Sequence, residues 1–591
     1  MNVKERIRNT YRPYFYCFDD VVRYQFISKG LLYLVIMIIE SLSLLLLKTT
    51  GKVAITTGDF AFIFKSWQGP ILILIALATL FIYLAFDINT QIIFAKKVLT
   101  NQEYSIRSIM KEGLLSIRQF FNVGGFILIL YITLIIPMIG FGISVSLTEN
   151  FYIPTFISSV IRSEPLYNVI YTLAIGVLSI IGVINIFILH GMILDNMPVL
   201  KSSRQSLNLL KENWKDFLIQ NLIFAARVAL VNIVAIMMLM IPAVIVYILP
   251  LDKSVSRYML IMIFLAALVI MPMINSVFTT FYFIRLTQLY YDYKHEENCF
   301  KVLKGQKRVP IIIIQIILVS SVWLGIAYII NQKFDELVPA ESSVRVIAHR
   351  GGGSEAPENT VAGINKAIEL GAYGSEIDVQ RTADNYYIVN HDSNFKRLCG
   401  ESKSPEEMKL SEIRQLKITD PLFPDQVEKI ATFEEMLEAA KGKIVLFVEL
   451  KGNSADKQMV DDVVRIIKEH EMEKECVIIS LKYNLIDYLE DTYPDMESAY
   501  LTFASFGKTA ELHCDYLGLE EEAASRQAIR AAHKQNKGVL VWTLNKEETQ
   551  RYFLLTNADF IITDKVSQAM DLIDEIAKRS DLERLSEWLI E

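Results

Sequence analysis

The segment Val344-Arg-Val-Ile-Ala-His349-Arg350-Gly351 is typical of a short apolar strand that ends in a polar cluster. The same arrangement recurs in Gly374-Ser-Glu376-Ile-Asp378-Val379 and in Ile444-Val-Leu-Phe-Val-Glu449-Leu-Lys451. Side chains two positions apart share one face of a strand, so the charged pair in each of the last two segments points the same way. Polar side chains at the carboxyl ends of successive apolar strands are typical of active sites in β/α barrels.

The remaining strands support a (β/α)8 TIM barrel. Eight apolar strands are predicted at 345–349, 375–379, 444–449, 476–480, 497–502, 515–519, 538–542 and 559–563. A further run at 386–391 follows the second strand too closely for a crossover helix, so it predicts a hairpin return beside the barrel. Residues 393–431 are rich in charge and proline, and they predict an insertion at the rim of the active site.

The polar residues at these strand ends indicate phosphoryl-transfer chemistry. Glu376, Asp378 and Glu449 have no Cys or His at close spacing, and such a set suits a hard cation such as Ca²⁺ or Mg²⁺. His349 and His391 each end a strand and suit a general acid and a general base. Taken one at a time, each of these residues is more often structural. Their common position at strand ends favours a shared site.

Two cations complete this interpretation. Arg350 follows the first strand and Lys451 follows the third, where both could hold phosphate oxygens. The alternative for Lys451 is a simple surface pair with Glu449, two positions earlier.

The ordered motifs resemble the glycerophosphodiester phosphodiesterase family over the whole of 344–570. They are His349-Arg350-Gly351, Glu358-Asn359-Thr360, Glu376-x-Asp378, Thr382-x-Asp384, His391-Asp392, Glu449-x-Lys451, Trp542-Thr543-x-Asn545 and Thr563-Asp564. The N-terminal part also resembles, through weaker motifs, the multi-span domain fused to this enzyme in some Gram-positive bacteria.

The resemblance implies a role for each site residue. The metal ligands would be Glu376, Asp378 and Glu449, the acid and base would be His349 and His391, and the substrate or phosphate ligands would be Arg350, Lys451, Glu358 and Trp542. Trp542 would form an apolar wall, although a barrel-core aromatic is an equally good interpretation. The implied reaction starts with attack of the substrate's glycerol hydroxyl on phosphorus, and water then opens the cyclic phosphate. The products would be glycerol 3-phosphate and an alcohol.

The first part of the chain is a predicted membrane domain. A chain of 591 residues exceeds one domain. Seven segments are long and apolar enough to span a bilayer, at 31–47, 71–86, 126–147, 169–189, 228–249, 259–284 and 310–330. We therefore predict a helical transmembrane bundle over 1–330, a linker over 331–343 and the barrel over 344–591. Residues 341–591 carry a net charge of −17 and the remainder +10, which argues against nonspecific nucleic-acid binding by the barrel.

Basic residues predict the orientation in the membrane. The N-terminal arm and the loops after spans two, four and six hold 21 Lys and Arg residues, whereas the opposite side holds six. Cytoplasmic loops carry the excess of Lys and Arg. We therefore expect a multi-pass protein of the cell membrane with a cytoplasmic N-terminus and an extracytoplasmic barrel.

Several functions fit these features. The substrates that suit an outward-facing site are deacylated lipid headgroups, lysolipids and polymers of the lipoteichoic acid type. One alternative is a phospholipase C or D activity on lysolipids or intact lipids. A second is a receptor or lipid transporter whose barrel only binds, and the complete set of catalytic positions argues against it.

Overall fold

The computed structural model describes residues 3–56, 66–128, 165–295 and 323–590. These residues divide into two compact units. One comprises residues 3–43, 71–128, 165–295 and 323–333, and the other comprises residues 44–56, 66–70 and 334–590.

The first unit is helical. Its elements are α1 (Val3–Lys48), α2 (Gln68–Leu99), α3 (Ile106–Ser116), α4 (Pro165–Ile184), α5 (Ile188–Asp195), α6 (Val199–Ile248) and α7 (Lys253–Tyr293). Five apolar stretches are long enough to cross a membrane: Tyr16–Lys48, Gln68–Leu99, Pro165–Asp195, Val199–Ile248 and Lys253–Tyr293. They confirm five of the seven predicted spans. The third, 126–147, and the seventh, 310–330, lie largely outside the described residues.

Polar side chains join three of these helices at buried positions. The Tyr24 hydroxyl on α1 donates to Asp87 Oδ1 on α2 at 2.7 Å. Gln25 Nε2 on α1 donates to Thr280 Oγ1 on α7 at 2.6 Å, and Thr280 donates to Gln91 Oε1 on α2 at 3.1 Å. A hydrogen bond between apolar helices contributes roughly 1 kcal/mol to their association. These contacts therefore help to fix how α1, α2 and α7 pack.

The second unit contains a closed parallel barrel, which confirms the predicted fold class. Its eight strands are β2 (Arg345–Ala348), β3 (Gly374–Arg381), β7 (Val445–Leu450), β8 (Cys476–Ser480), β9 (Glu497–Thr502), β11 (Tyr516–Glu520), β12 (Gly538–Trp542) and β13 (Phe560–Thr563). Each pairs in parallel with the next, and β13 and β3 both pair with β2, so the sheet closes.

The predicted hairpin and rim insertion are also present. Strand β4 (Tyr387–Val389) returns antiparallel to β3. The insertion that follows contains α10 (Lys396–Cys399), α11 (Leu410–Ile413) and the antiparallel pair β5 (Lys417–Thr419) and β6 (Val427–Lys429).

Helices cover the outside of the barrel. They are α9 (Val361–Glu369), α12 (Phe433–Ala440), α13 (Lys457–Glu469), α14 (Tyr483–Thr492), α15 (Arg526–His533), α16 (Glu547–Leu554) and α17 (Val566–Ile576), flanked in sequence by α8 (Phe334–Leu337) and α18 (Asp581–Ile590). Capping residues begin several of them, since Thr360 accepts a hydrogen bond from Gly363 N and Asp456 accepts one from Met459 N.

Two apolar layers hold the barrel together. The inner layer includes Ile347, Phe447, Leu501 and Leu540, all 4% exposed or less. A larger layer lies between the strands and the surrounding helices, and it also contains Ala54 from β1 (Ala54–Thr56). Strand β1 pairs antiparallel with β10 (Ser505–Gly507), which follows β9. The loop between the first two apolar helices therefore contributes a strand to the second unit.

Candidate active site

Three buried carboxylates gather at the carboxyl ends of β3 and β7. Glu376 and Asp378 share one face of β3, and the parallel register sets Glu449 of β7 opposite Asp378. One oxygen from each carboxylate lies within 4.8 Å of the other two. The residues are 2%, 0% and 7% exposed, so little water screens their mutual repulsion. The structure thus brings together the three predicted metal ligands, which we call the acidic triad.

The Lys451 ammonium lies against two members of the acidic triad. Its Nζ donates to Asp378 Oδ1 at 2.8 Å and to Glu449 Oε2 at 3.1 Å. It therefore balances part of the negative charge of the site. Contact between Lys451 and a phosphate stays a prediction.

The pKa values of the triad reflect this crowding. Burial, together with the charge of Asp378, raises the pKa of Glu376 to about 8. Burial also raises the pKa of Glu449. For Asp378 burial acts in the same direction, but the charges of Lys451 and two other basic side chains outweigh it and hold the pKa well below its usual range. Three adjacent carboxylates resist full ionisation unless a cation lies among them.

The donor set fits a divalent cation. All three ligands are carboxylate oxygens, which hard ions such as Ca²⁺ and Mg²⁺ prefer. Glu376 Oε1 is buried and has no hydrogen-bond donor among the described residues. A buried carboxylate oxygen without a donor is costly, and a cation would remove that cost.

His349 lies beside the triad and pairs with Asp564. Its Nδ1 is 2.7 Å from Asp564 Oδ1, and its Nε2 is 3.9 Å from Glu376 Oε2. Burial alone would lower the pKa of His349, but the charge and hydrogen bond of Asp564 outweigh burial and raise the pKa. An ionised carboxylate can only accept a hydrogen bond, so Nδ1 carries the proton and Nε2 faces the acidic triad.

His391 is held in the same manner by its neighbour in the sequence. Its Nδ1 is 2.9 Å from Asp392 Oδ1, so the carboxylate again selects the tautomer with a proton on Nδ1. Burial lowers the pKa of His391 and outweighs the hydrogen bond with Asp392. Asn390 N donates to Asp378 O at 2.8 Å, which sets the start of this turn beside β3.

One arginine of the rim insertion forms ion pairs with two acidic residues of the site. Arg397 on α10 donates from Nε to Asp392 Oδ2 at 2.8 Å and from Nη2 to Glu358 Oε1 at 2.5 Å. Glu358 also accepts a hydrogen bond from Arg350 Nη1 at 3.3 Å. The carboxylate of Glu358 therefore lies between two guanidinium groups. Its predicted contact with substrate stays a prediction.

Arg350 and Asn359 are fixed by their backbones as well as their side chains. Arg350 has φ of 50°, a conformation uncommon outside glycine, and its N donates to Glu376 Oε2 at 2.8 Å. Asn359 Nδ2 donates to Asp378 Oδ2 at 2.8 Å, while Asn359 Oδ1 accepts from Asp378 N at 3.2 Å. These contacts orient two of the three carboxylates.

Trp542 ends β12 and packs against the inner apolar layer of the barrel. Its Nε1 is buried and finds no acceptor in the part of the chain that the structure describes. The structure thus places its ring at the carboxyl end of the barrel. That Trp542 forms an apolar wall of the substrate site stays a prediction.

The sequence did not assign roles to four residues that the structure places in the site. Asn359, Asp392 and Asp564 occur within the quoted motifs. The available signal was that Asn359 and Asp392 directly follow Glu358 and His391, and that Asp564 directly follows the last barrel strand. Arg397 lies in the insertion, where no spacing pattern marks it.

The sequence of the barrel matches a known family. The model of the glycerophosphoryl diester phosphodiesterase family matches residues 349–568. The chain is 27% identical over 241 residues to the glycerophosphodiester phosphodiesterase of Caldanaerobacter subterraneus. The match covers 39% of this chain and 97% of that protein. It is 31% identical over 152 residues to glycerophosphodiester phosphodiesterase 1 of Mus musculus. This match covers 23% of this chain and 45% of that protein.

One similar solved structure is the Oleispira antarctica phosphodiesterase in complex with the product sn-glycerol-3-phosphate. It is 23% identical with a TM-score of 0.36, and the match covers 39% of this chain and 96% of that one. The model described as the membrane domain of glycerophosphoryl diester phosphodiesterase matches residues 7–329, which is more than half of the chain. The chain therefore belongs to the glycerophosphodiester phosphodiesterase family, as an enzyme that carries the membrane domain of that family.

Proposed function

We propose that the barrel hydrolyses glycerophosphodiesters to glycerol 3-phosphate and an alcohol by a metal-dependent mechanism with two catalytic histidines. The observation that carries this proposal is the position of His349, whose Nε2 is 3.9 Å from Glu376 Oε2 while Asp564 holds Nδ1. A base or acid beside a cation site suits the metal-assisted cleavage of a phosphodiester.

The two histidines move the protons. One removes the proton from the attacking glycerol hydroxyl, and the other protonates the leaving alkoxide. In both histidines Nε2 is the nitrogen that exchanges a proton with substrate, because Asp564 and Asp392 bind the Nδ1 protons. In a second step the two histidines exchange roles, and water opens the cyclic phosphate. This step returns each histidine to its starting protonation state.

The remaining residues stabilise charge and position the substrate. Glu376, Asp378 and Glu449 would hold one Ca²⁺ or Mg²⁺, which when bound neutralises phosphate charge and lowers the pKa of a nearby hydroxyl. Arg350 and Lys451 offset the charge that develops on the phosphate oxygens. Glu358 fixes Arg350 at 3.3 Å, and Trp542 limits the space available to the alcohol group.

The barrel is proposed to act outside the cytoplasm. The bias of 21 to six Lys and Arg residues between the two sides supports a cytoplasmic N-terminus. Seven crossings then put the barrel on the outer surface. Substrates available there include deacylated lipid headgroups, lysolipids and glycerolphosphate polymers of the lipoteichoic acid type.

Purified full-length protein tests this proposal. Release of glycerol 3-phosphate is measured from a headgroup diester, a lysolipid and a glycerolphosphate polymer, with Asp378→Asn as the control for contaminating activity. We expect chelation by EDTA to abolish release and added Ca²⁺ or Mg²⁺ to restore it. Undiminished release in EDTA would refute the metal role, and failure on all three substrates with either ion would refute the proposed reaction.

A further inference from the structure

One side of the barrel lacks the helix that the fold normally supplies. The fifth barrel strand, β9, is followed by residues 503–515, which the structure describes throughout and which contain only β10 and the 3-10 turn Thr509–Glu511. Each of the other seven barrel strands is followed by a helix. Strand β1 lies at this position instead, paired with β10 and in contact with the 3-10 turn.

The fit of β1 is close. Ala54 and Thr56 are each 3% exposed, and Ala54 belongs to the apolar layer between strands and helices. The buried Tyr500 hydroxyl of β9 donates to Thr56 Oγ1 at 2.6 Å. A Cβ at Gly507 would lie 2.5 Å from Leu47 Cδ2 and 2.8 Å from Val53 O, so only glycine permits this approach.

We propose that residues 49–56, in the first loop of the membrane domain, are a structural part of the catalytic domain. Their strand β1 takes the place of the missing helix and holds the segment 503–515, which begins at the carboxyl end of β9, where the active site lies. The partner of this barrel surface is thus a distant segment of the same chain. The proposal rests on the ladder between β1 and β10, and not on the proposed orientation in the membrane.

The ladder also restricts the topology. Two strands of one ladder lie on the same side of a membrane, so an even number of crossings must separate Gln68 from Phe334. Four of the long apolar helices in this interval are described. The two predicted spans outside the described residues, 126–147 and 310–330, must therefore both cross or both remain on one side. The bias of basic residues favours two crossings.

A disulfide across the ladder tests the pairing in the full-length chain. Thr56 lies opposite Ser505. Lys508 N donates to Val53 O at 2.9 Å, so Val53 and Lys508 are a hydrogen-bonded pair of the antiparallel ladder. Hydrogen-bonded and non-hydrogen-bonded pairs alternate along such a ladder, so Thr56 and Ser505 form a non-hydrogen-bonded pair. The side chains of such a pair are closer together than those of a hydrogen-bonded pair. The variant carries Thr56→Cys and Ser505→Cys, replaces the native cysteines, and has a protease site inserted in 340–343.

After oxidation in native membranes and cleavage, we expect the two fragments to run as one band that reductant separates. A control with Thr56→Cys and Ser402→Cys, in the rim insertion, should give separate fragments. Separate fragments from the first variant, with both cysteines labelled by a thiol reagent after denaturation, would overturn the proposal.

A second measurement does not depend on new cysteines. Gly507 has φ of 105°, whereas Gly442 has φ of 72° and a Cβ added there would meet no described atom within 4 Å. Both alanine substitutions strain the backbone, but only Gly507→Ala collides with the loop. We expect Gly507→Ala to lower the Tm of the full-length protein by about 3 °C more than Gly442→Ala does. Equal Tm values for the two variants would count against the proposal, whichever side of the membrane the barrel occupies.

Discussion

The Asp564 carboxylate lies 2.7 Å from Nδ1 of His349, although the two residues are 215 positions apart in the chain. Asp564 follows the last barrel strand and His349 follows the first, so closure of the barrel brings them together. Asn545 Nδ2 donates to the other oxygen of Asp564 at 2.6 Å and fixes the carboxylate. The imidazole is thereby held with Nε2 directed at the acidic triad.

Asp564→Asn should therefore impair catalysis without unfolding the barrel. An amide can offer either an oxygen or an NH₂ group to Nδ1, so the tautomer of His349 is no longer fixed. We expect kcat to fall by about 10²-fold, the lower end of the loss seen when acid–base catalysis fails. Asp559→Asn is the matched control, because Asp559 pairs with His533 at 2.8 Å at the opposite end of the same strand. Equal losses in both variants would exclude a specific role for Asp564.

The same substitution should change how stability depends on pH. Burial alone would raise the pKa of Asp564, but the charge and hydrogen bond of His349 lower it from 3.8 to about 2. A lowered folded-state pKa stabilises the protein above the unfolded value, and this contribution is lost as pH falls from about 4 to about 2. We expect Asp564→Asn to cost on the order of 2 kcal/mol of unfolding free energy at neutral pH. Thermal melts at descending pH should show the gap from wild type closing below pH of about 4, and a constant gap would contradict the pairing.

His349→Ala and His391→Ala should each lower turnover on a natural diester by about 10²–10⁴-fold. The two groups act as one unit, so the double variant should be little worse than either single variant. A p-nitrophenyl diester needs no proton on its leaving group, and it should rescue only the variant that has lost the acid. The assay thereby assigns the two roles. Near-wild-type turnover by either single variant would show that the histidine is structural.

Arg397→Gln should act on catalysis through His391. The substitution removes the bonds that hold Asp392, so the His391 ring loses its fixed orientation. We expect kcat to fall by about 10-fold or more, since small misplacements of catalytic groups can cost about 10²-fold. Arg414→Gln is the control from the same insertion, because Arg414 binds Glu435 through two bonds of 2.7 and 2.6 Å. In a His391→Ala background the further loss from Arg397→Gln should nearly vanish. An unreduced loss there would show that Arg397 acts by another route, such as its bond with Glu358.

A single cysteine at Ser402, with the native cysteines replaced, should report the side of the membrane on which the barrel lies. Ser402 is exposed in the rim insertion. We expect an impermeant thiol reagent to label it on whole cells. A cysteine at Ser108 in α3, in a predicted cytoplasmic loop, should react only after lysis. The reverse pattern would contradict the outward orientation.

The sequence was most informative where a pattern is local. Alternation along β3 was enough to set Glu376 and Asp378 on one face, and the order of strands was enough to predict that Glu449 would join them. Hydropathy predicted five apolar helices that the structure contains. These features depend on the period of a strand or on the length of an apolar run, so they can be predicted without knowledge of the fold.

The pairing of residues that are distant in the chain is visible only in the folded protein. The bond from Tyr500 to Thr56 joins residues 444 positions apart, and Arg397 reaches Glu358 across the rim from an insertion with no regular period. Asp564 meets His349 because the first and last strands pair when the sheet closes. The strands, the apolar helices and the chemical groups at the strand ends could all be predicted from the sequence. Barrel closure decided their partners, because such contacts depend on the register and curvature of the whole sheet rather than on any neighbouring residue.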